Sequence, residues 1–103
     1  MRQVVVTYRT APDRADENAE LVERVFEELN QKEPEGIRYA TFRLADGVSF
    51  VHVAETDGDA NPLAGTDAFR EFQRGIADRC VEGPDPQDAT LVGSYGVFQG
   101  AGE

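Results

Sequence analysis

The chain has 103 residues with one cysteine, one histidine and no tryptophan, and its formal net charge is −10. This length suits one domain that buries its own core without covalent staples. The acidic balance argues against a nucleic acid or an anionic membrane as partner, because both bind basic faces.

The first predicted elements are a strand and a helix. Gln3 to Arg9 is rich in β-branched residues and stops before Ala11-Pro12, which predicts a strand. Asp13 is placed to cap the helix that follows, and Pro34 and Gly36 end it. Its apolar positions recur at the helical period: Leu21, Val22, Val25, Phe26 and Leu29.

A hairpin is predicted from Ile37 to Glu55, with its turn at Asp46-Gly47. This register places Arg43 opposite Phe50, Thr41 opposite His52 and Tyr39 opposite Ala54. The mixed aromatic and polar face that they form is typical of a pocket or a subunit interface. The other face is apolar and is predicted to be a plain hydrophobic core: Leu44, Phe42, Val51, Ala40 and Val53.

The last predicted elements are a second helix and a fourth strand. The helix starts near Thr66 and ends where Gly83-Pro84-Asp85-Pro86 breaks it; its buried stripe comprises Ala68, Phe69, Phe72, Ile76 and Cys80. The strand runs from about Thr90 to Phe98, and residues 99–103 form a tail.

This order, β-α-β-β-α-β, predicts one ferredoxin-like α+β domain over residues 1–98. Right-handed crossovers place both helices on one face of a four-stranded antiparallel sheet. The opposite face is expected to carry Tyr39, Phe50 and Val5 or Val6, without cover from this chain. An exposed patch of this kind favours a homodimer that packs sheet against sheet.

Four stretches carry a resemblance to a known family: Phe50-Val-His-Val-Ala54, Asn61-Pro-Leu63, Ala68-Phe-Arg-Glu-Phe-Gln-Arg-Gly-Ile76 and Val92-Gly-Ser-Tyr-Gly-Val-Phe98. With them the chain resembles the dimeric α+β barrel superfamily, and within it the antibiotic-biosynthesis-monooxygenase-like proteins, over roughly Val4 to Phe98. It implies a homodimer whose two sheets form a barrel, with a cavity in each subunit between sheet and helices. Some members oxygenate aromatic polyketides without metal or flavin, and others degrade haem. The missing Trp and the lack of a His in the second helix depart from both activities.

The catalytic candidates are His52, Tyr39 and Arg43, and the candidates for lining a ligand cavity are Thr41, Phe50 and Tyr95. His52 is the only side chain with an ordinary pKa near neutrality, so it is the candidate base for a substrate hydroxyl. Tyr39 and Arg43 would then stabilise the resulting anion. The function expected is a cofactor-independent, monooxygenase-like protein that acts on or binds a small aromatic or quinol-type molecule. The alternative is a non-catalytic dimeric binding or scaffold module, in which His52 is a structural group bonded to Thr41 or Tyr39.

The sequence lacks the residues that several other kinds of functional site require. Asp57-Gly-Asp59-Ala-Asn61 begins like a calcium loop, but Pro62 and Ala68 stand where glycine and glutamate are required. One His and one Cys are too few for structural zinc, and no phosphate-binding glycine motif or nucleophile elbow occurs. No metal and no cofactor are therefore expected. The single cysteine, Cys80, fits a reducing compartment, and a cytoplasmic protein is expected.

Overall fold

A computed structural model describes residues 2–58 and 61–96 of the chain. Four strands and three α-helices follow in the order β-α-β-β-α-α-β. Their bounds are β1 Arg2–Thr10, α1 Ala15–Lys32, β2 Ile37–Arg43, β3 Ser49–Thr56, α2 Asp67–Arg74, α3 Ile76–Arg79 and β4 Cys80–Ala89. Short 3₁₀ helices, Pro12–Arg14 and Pro62–Gly65, precede α1 and α2. The protein has the ferredoxin-like α+β fold that the sequence predicted.

The strands form one antiparallel sheet in the order β2-β3-β1-β4. The hairpin register is confirmed, since Arg43 pairs with Phe50, Thr41 with His52 and Tyr39 with Ala54. The connection holds its shape through Asp46, whose carboxylate accepts hydrogen bonds from the backbone N–H groups of Val48 and Ser49 at 2.9 and 2.8 Å. The turn chemistry therefore sets which residues of β2 and β3 stand side by side.

The ends of α1 differ in part from the prediction. Asp13 lies inside the preceding 3₁₀ helix and does not cap α1, whose N-cap position is Arg14. The C-terminal end follows the prediction more closely: the helix stops at Lys32, two residues before Pro34. Glu33 then adopts a left-handed conformation, with φ of 47°, and donates its N–H to the Leu29 carbonyl at 2.8 Å. This bond satisfies one of the free carbonyls of the last turn.

The prediction for the last strand was wrong. The chain leaves α3 at Arg79, and Cys80–Ala89 pairs with β1 through the segment that was expected to break a helix. Pro84 and Pro86 are tolerated because β4 is an edge strand, where a residue without an N–H need not interrupt pairing on both sides. Thr90 to Gly96 is neither strand nor helix. Val97 and Phe98, which the prediction included in the strand, and the predicted tail 99–103 lie outside the described residues.

The assignment of the two hairpin faces was also wrong. The face with Tyr39, Phe50 and His52 is the one that α1 and α2 cover, and we call it the helix face. Tyr39 stacks on Phe26 of α1 with ring centroids 5.0 Å apart, and His52 lies 5.5 Å from the ring of Phe72 in α2. Register alone does not say which face the helices cover. The helices pack on the face of the sheet where their aromatic side chains can stack on aromatic side chains of the strands.

The opposite face, which we call the open face, has no helix over it among the described residues. It carries Val5, Ala40, Phe42, Val51 and Val53, and the Phe42 side chain is 56% exposed. Of the two alternatives that the sequence left open, Val5 lies on this face and Val6 on the helix face, while Tyr39 and Phe50 were wrongly expected on the uncovered side. Within the described part of the chain, no helix is long and apolar enough to cross a membrane.

Candidate functional site

A cavity of about 300 Å³ lies between the helix face and α2. Its buried lining includes Tyr8, His52, Leu63 and Phe72, with Tyr39 half-buried at the same wall. The remaining lining residues are Arg2, Val4, Val6, Ala54, Thr56, Asn61, Phe69, Gln73, Ile76 and Pro84. Apolar side chains make up just over half of the lining, and the polar ones comprise Tyr8, His52 and Tyr39, which we call the polar wall, together with Arg2, Thr56, Asn61 and Gln73.

Local structure around the 3₁₀ helix Pro62–Gly65 positions one side of this cavity. The Asn61 side chain accepts a hydrogen bond from the Leu63 N–H at 3.0 Å, which forms a turn at Asn61-Pro62. This turn places Leu63 in the core and Asn61 at the cavity wall. Asn61 and the 3₁₀ helix that follows it therefore contribute to the cavity lining.

The polar wall begins with a hydrogen bond between two adjacent strands. The Tyr8 hydroxyl of β1 lies 2.8 Å from Nε2 of His52 in β3. The same hydroxyl accepts a hydrogen bond of 2.8 Å from the Asn18 amide of α1. Asn18 in turn accepts a hydrogen bond of 3.1 Å from the Arg79 guanidinium at the end of α3. These four side chains are buried, so β1, β3, α1 and α3 are joined through polar atoms inside the core.

The other ring nitrogen of His52 faces β2. Its Nδ1 is hydrogen-bonded to the Tyr39 hydroxyl and lies 3.1 Å from the Thr41 hydroxyl. Both partners sit on β2 opposite or diagonal to His52, as the confirmed register dictates. We call the connected set Arg79, Asn18, Tyr8, His52, Thr41 and Tyr39 the polar row. Every buried side-chain nitrogen or oxygen of the described residues has a hydrogen-bond partner.

Burial decides the protonation of this row. It lowers the pKa of His52 to about 4, so the imidazole is neutral at pH 7. Burial raises the pKa of Tyr39 to about 12, and a hydrogen bond from Thr41 opposes part of that rise. Burial also raises the pKa of Tyr8 far above its ordinary value, with the Asn18 hydrogen bond acting in the opposite direction. At neutral pH the row holds two phenols and one neutral imidazole, and only Arg79 is charged.

The row is arranged to give hydrogen bonds rather than to accept a proton. Both ring nitrogens of His52 are already engaged, and its pKa is low for a base at neutral pH. Tyr39 lines the cavity from β2, together with Tyr8 and His52. Phenolic hydroxyls in an apolar pocket stabilise a carbonyl oxygen or an oxyanion of a ligand.

The structure brings some of the predicted site residues together and separates others. His52, Tyr39 and Thr41 are in contact. Phe50 is buried beneath them and stacks on Tyr8 with centroids 5.5 Å apart, outside the cavity lining. Arg43 is exposed and binds the Gly47 carbonyl at 2.8 Å and Asp16 at 3.0 Å, away from the cavity. Tyr95 is 97% exposed and does not line the cavity.

Three members of the row were not among the predicted catalytic or cavity-lining residues. They are Tyr8, Asn18 and Arg79. Asn18 had a detectable signal, because an asparagine one turn before Leu21 and Val22 lies close to the apolar stripe of α1. Arg79 had none, since a buried arginine without a carboxylate partner contradicts the usual expectation for arginine.

Metal ligands do not cluster in the described part of the chain, where no group of three or more His, Cys, Asp or Glu side chains converges. Cys80 is half-buried against the core, and burial raises the pKa of its thiol, which makes the thiolate scarce at neutral pH.

Comparison with solved structures finds neighbours of similar fold, several of which are described as antibiotic biosynthesis monooxygenases. A structure described as an antibiotic biosynthesis monooxygenase matches with a TM-score of 0.74 and 19% identity, over 90% of this chain and 100% of its own. A candidate antibiotic biosynthesis monooxygenase from Nitrosomonas europaea matches with a TM-score of 0.75 and 17% identity, over 89% and 99% of the two chains. One from Caulobacter crescentus CB15 matches with a TM-score of 0.69 and 23% identity, over 89% and 90%.

These matches show a shared monooxygenase-like fold, which the resemblance in sequence had predicted. No protein-family model matches the chain, and no curated protein matches it in sequence.

Proposed function

We propose that this protein binds a small aromatic molecule of the quinol type in the cavity beside His52 and oxygenates it without a bound cofactor. The observation that carries the proposal is the apolar cavity of about 300 Å³ with one polar wall, made of Tyr8, His52 and Tyr39. This volume is at the lower end of the range for small-molecule sites, ~300–1,000 Å³, and favours a ligand of one or two rings. The fold shared with structures described as monooxygenases supports the reaction class.

The chemistry requires no external reductant. A quinol and O₂ give a hydroxyquinone and water: the quinol supplies all four electrons that reduce O₂, one oxygen atom enters the ring at a C–H position, and the other leaves as water with two hydrogens. The reactive form of a quinol is its anion, whose charge spreads over oxygen and ring carbon. Hydrogen bonds to that oxyanion inside an apolar cavity lower the barrier to reaction.

Tyr39 is the group proposed to donate to the oxyanion, with His52 and Tyr8 behind it. Full proton transfer from a phenol of pKa ~10 to an imidazole of pKa about 4 costs about 8 kcal/mol. His52 is therefore proposed as a support for Tyr39 rather than as the base that removes the proton. Arg43, whose guanidinium binds Gly47 and Asp16, has no part in this version of the site.

The first test is a titration of the protein with 1,4-naphthoquinone by calorimetry, followed by O₂ uptake with the corresponding quinol. Tyr39→Phe is expected to weaken binding about tenfold, because one hydrogen bond contributes roughly 1 kcal/mol or somewhat more. Tyr95→Phe is the matched control, since the same change at a 97% exposed residue leaves binding unaltered. No saturable binding by the unaltered protein would refute the ligand site.

The second candidate is a binding module without catalysis, which one observation favours: the polar atoms of His52 are fully satisfied by Tyr8, Tyr39 and Thr41. The two candidates differ in O₂ consumption. Saturable binding with quinol oxidation no faster than in protein-free buffer supports the module. Oxidation that is accelerated by the protein and reduced in Tyr39→Phe supports the enzyme.

We also propose that a second copy of the chain covers the open face. A half-exposed apolar surface centred on Phe42, Val51 and Val53 is what sheet-against-sheet association buries. Light scattering is expected to give twice the chain mass of 11.3 kDa at micromolar concentration. Phe42→Asp is expected to give the monomer, and Ala64→Asp, which adds the same charge at an exposed residue of the 3₁₀ helix before α2, is the control. A monomeric mass for the unaltered protein contradicts the proposal.

A further inference from the structure

We infer that the hydrogen bonds of the polar row all run in one direction, from Arg79 toward the cavity, so that Tyr39 meets a ligand as a donor and selects an acceptor oxygen. This inference extends the proposed function and depends on it for the identity of the ligand. The step that decides it is the position of one proton on His52, which is measurable without any ligand.

The direction is set by Arg79. A guanidinium only donates hydrogen bonds, and it does so through Nε to Oδ1 of Asn18 at 3.1 Å and through Nη2 to the Phe72 carbonyl at 2.7 Å. Because its oxygen faces Arg79, the Asn18 amide must direct its NH₂ group to Tyr8, which lies 2.8 Å away. Within the described residues Arg79 has no carboxylate partner. Arg79 and Asn18 are both buried, so neither side chain can replace these hydrogen bonds with hydrogen bonds to water.

Asn18 in turn determines which way Tyr8 points. The Tyr8 oxygen accepts from Asn18, so its own hydrogen must go to another acceptor. Nε2 of His52, at 2.8 Å, is the acceptor that the described residues offer. Nε2 therefore carries no hydrogen, and a neutral imidazole with a free Nε2 has its proton on Nδ1.

The proton on Nδ1 makes His52 the hydrogen-bond donor toward β2. Nδ1–H donates to the Thr41 hydroxyl at 3.1 Å and to the Tyr39 oxygen. The Tyr39 oxygen thus accepts a hydrogen bond from Nδ1–H of His52, and the hydroxyl hydrogen of Tyr39 remains available to a ligand in the cavity.

The consequence is a selection among ligands. A molecule with a carbonyl oxygen or a phenolate at this wall completes the row, whereas one with only a donor there leaves two donors facing each other. Burying that mismatch costs more than a missing contact, because the Tyr39 hydrogen loses water as well. The charge of Arg79 at the far end polarises each successive bond toward the ligand. Asn18 and Arg79 are positioning residues in this scheme, since neither touches the ligand.

The test uses the fact that His52 is the only histidine in the chain. In a ¹⁵N-labelled sample at pH 7, the correlations between ring nitrogens and carbon-bound ring protons report which nitrogen is protonated. The Nδ1–H form is expected in the unaltered protein, opposite to the preference of free imidazole side chains in water. An Nε2–H form in the unaltered protein overturns the inference without any variant, and leaves the proposed ligand site standing.

Asn18→Asp is designed to reverse the row while keeping its shape. A carboxylate accepts from both Arg79 and Tyr8, so the Tyr8 oxygen then accepts from Nε2–H, and Nδ1 becomes an acceptor for Tyr39. The His52 spectrum is expected to change to the Nε2–H form, and naphthoquinone binding to weaken about tenfold. Asn30→Asp is the matched control, because Asn30 is an exposed residue of the same helix.

The remaining outcomes separate this inference from the proposed function. An Asn18→Asp protein that keeps the Nδ1–H form, or that binds naphthoquinone as tightly as Asn30→Asp does, contradicts the inference. If the unaltered protein has the Nδ1–H form and binds no naphthoquinone, the proposed function fails and the ligand selection fails with it, while the direction of the row is upheld.

Discussion

Acid sensitivity of the fold is expected to come in large part from His52. Its pKa is about 4 in the folded protein and ~6.5 in an unfolded chain, because burial disfavours the charged ring. Above pH 6.5 the ring is neutral in both states and contributes no pH dependence. As the pH falls from 6.5 to 4, only the unfolded chain takes up the proton, so the free energy of unfolding falls with the pH.

The magnitude follows from the difference between the two pKa values. At ~1.4 kcal/mol per pH unit, the contribution lost between pH 7.5 and 5.0 is about 2 kcal/mol, and the full loss by pH 4 is about 3 kcal/mol. These values are a large fraction of the stability of a small domain. Below pH 4 the folded protein also binds the proton, so the His52 contribution levels off.

The measurement is urea unfolding of the unaltered protein and of His52→Gln at several pH values, followed by circular dichroism. Carboxylates whose pKa is lowered by hydrogen bonds, such as Asp46 with Ser49, also cost stability in acid, but both proteins share them and the difference removes them. The unaltered protein is expected to lose about 2 kcal/mol more than the variant between pH 7.5 and 5.0. Parallel curves would refute the reasoning, and a nuclear magnetic resonance titration of the single histidine with a midpoint near 6.5 would explain them.

Three further changes test the packing and the site. Phe72→Ala is expected to cost ~3–5 kcal/mol in urea unfolding, because Phe72 is 4% exposed and packs on both Tyr8 and His52; a cost below 1 kcal/mol would show a loosely packed centre. Gly47→Ala is expected to cost roughly 1 kcal/mol in thermal unfolding, since φ is 79° there, and an unchanged midpoint would contradict the left-handed turn. Arg43→Ala is expected to leave naphthoquinone affinity unchanged, and a tenfold loss would place its guanidinium at the ligand after all.

The register of the hairpin was predictable because its information is local. Asp46-Gly47 sets the turn, and the pairing of β2 with β3 follows by counting along the two strands. This count was enough to bring His52, Thr41 and Tyr39 together before any tertiary structure was considered. The half of the polar row that lies within the hairpin was therefore available from the sequence.

The position of β4 was not predictable by the same rules. Pro84 and Pro86 are strong signals against a central strand, and the prediction treated them as signals against any strand. Sequence patterns do not say which strand lies at an edge, since that depends on the order β2-β3-β1-β4 of the completed sheet. Tyr95 was then placed in a strand and at the cavity, whereas it is exposed beyond β4.

The sequence by itself determined the fold class, the element order up to α2, and the residues that share each face of the hairpin, because these follow from periodicity and turn chemistry. Only the tertiary structure decided which face the helices cover, and it brought Asn18 to Tyr8 and Arg79 to Asn18, pairs that are 10 and 61 residues apart in the chain. Those contacts join different helices to the sheet, and their energies depend on burial and on the hydrogen-bond partners that the assembled core supplies. The chemistry of His52 is set by these non-local neighbours, which no pattern around position 52 encodes.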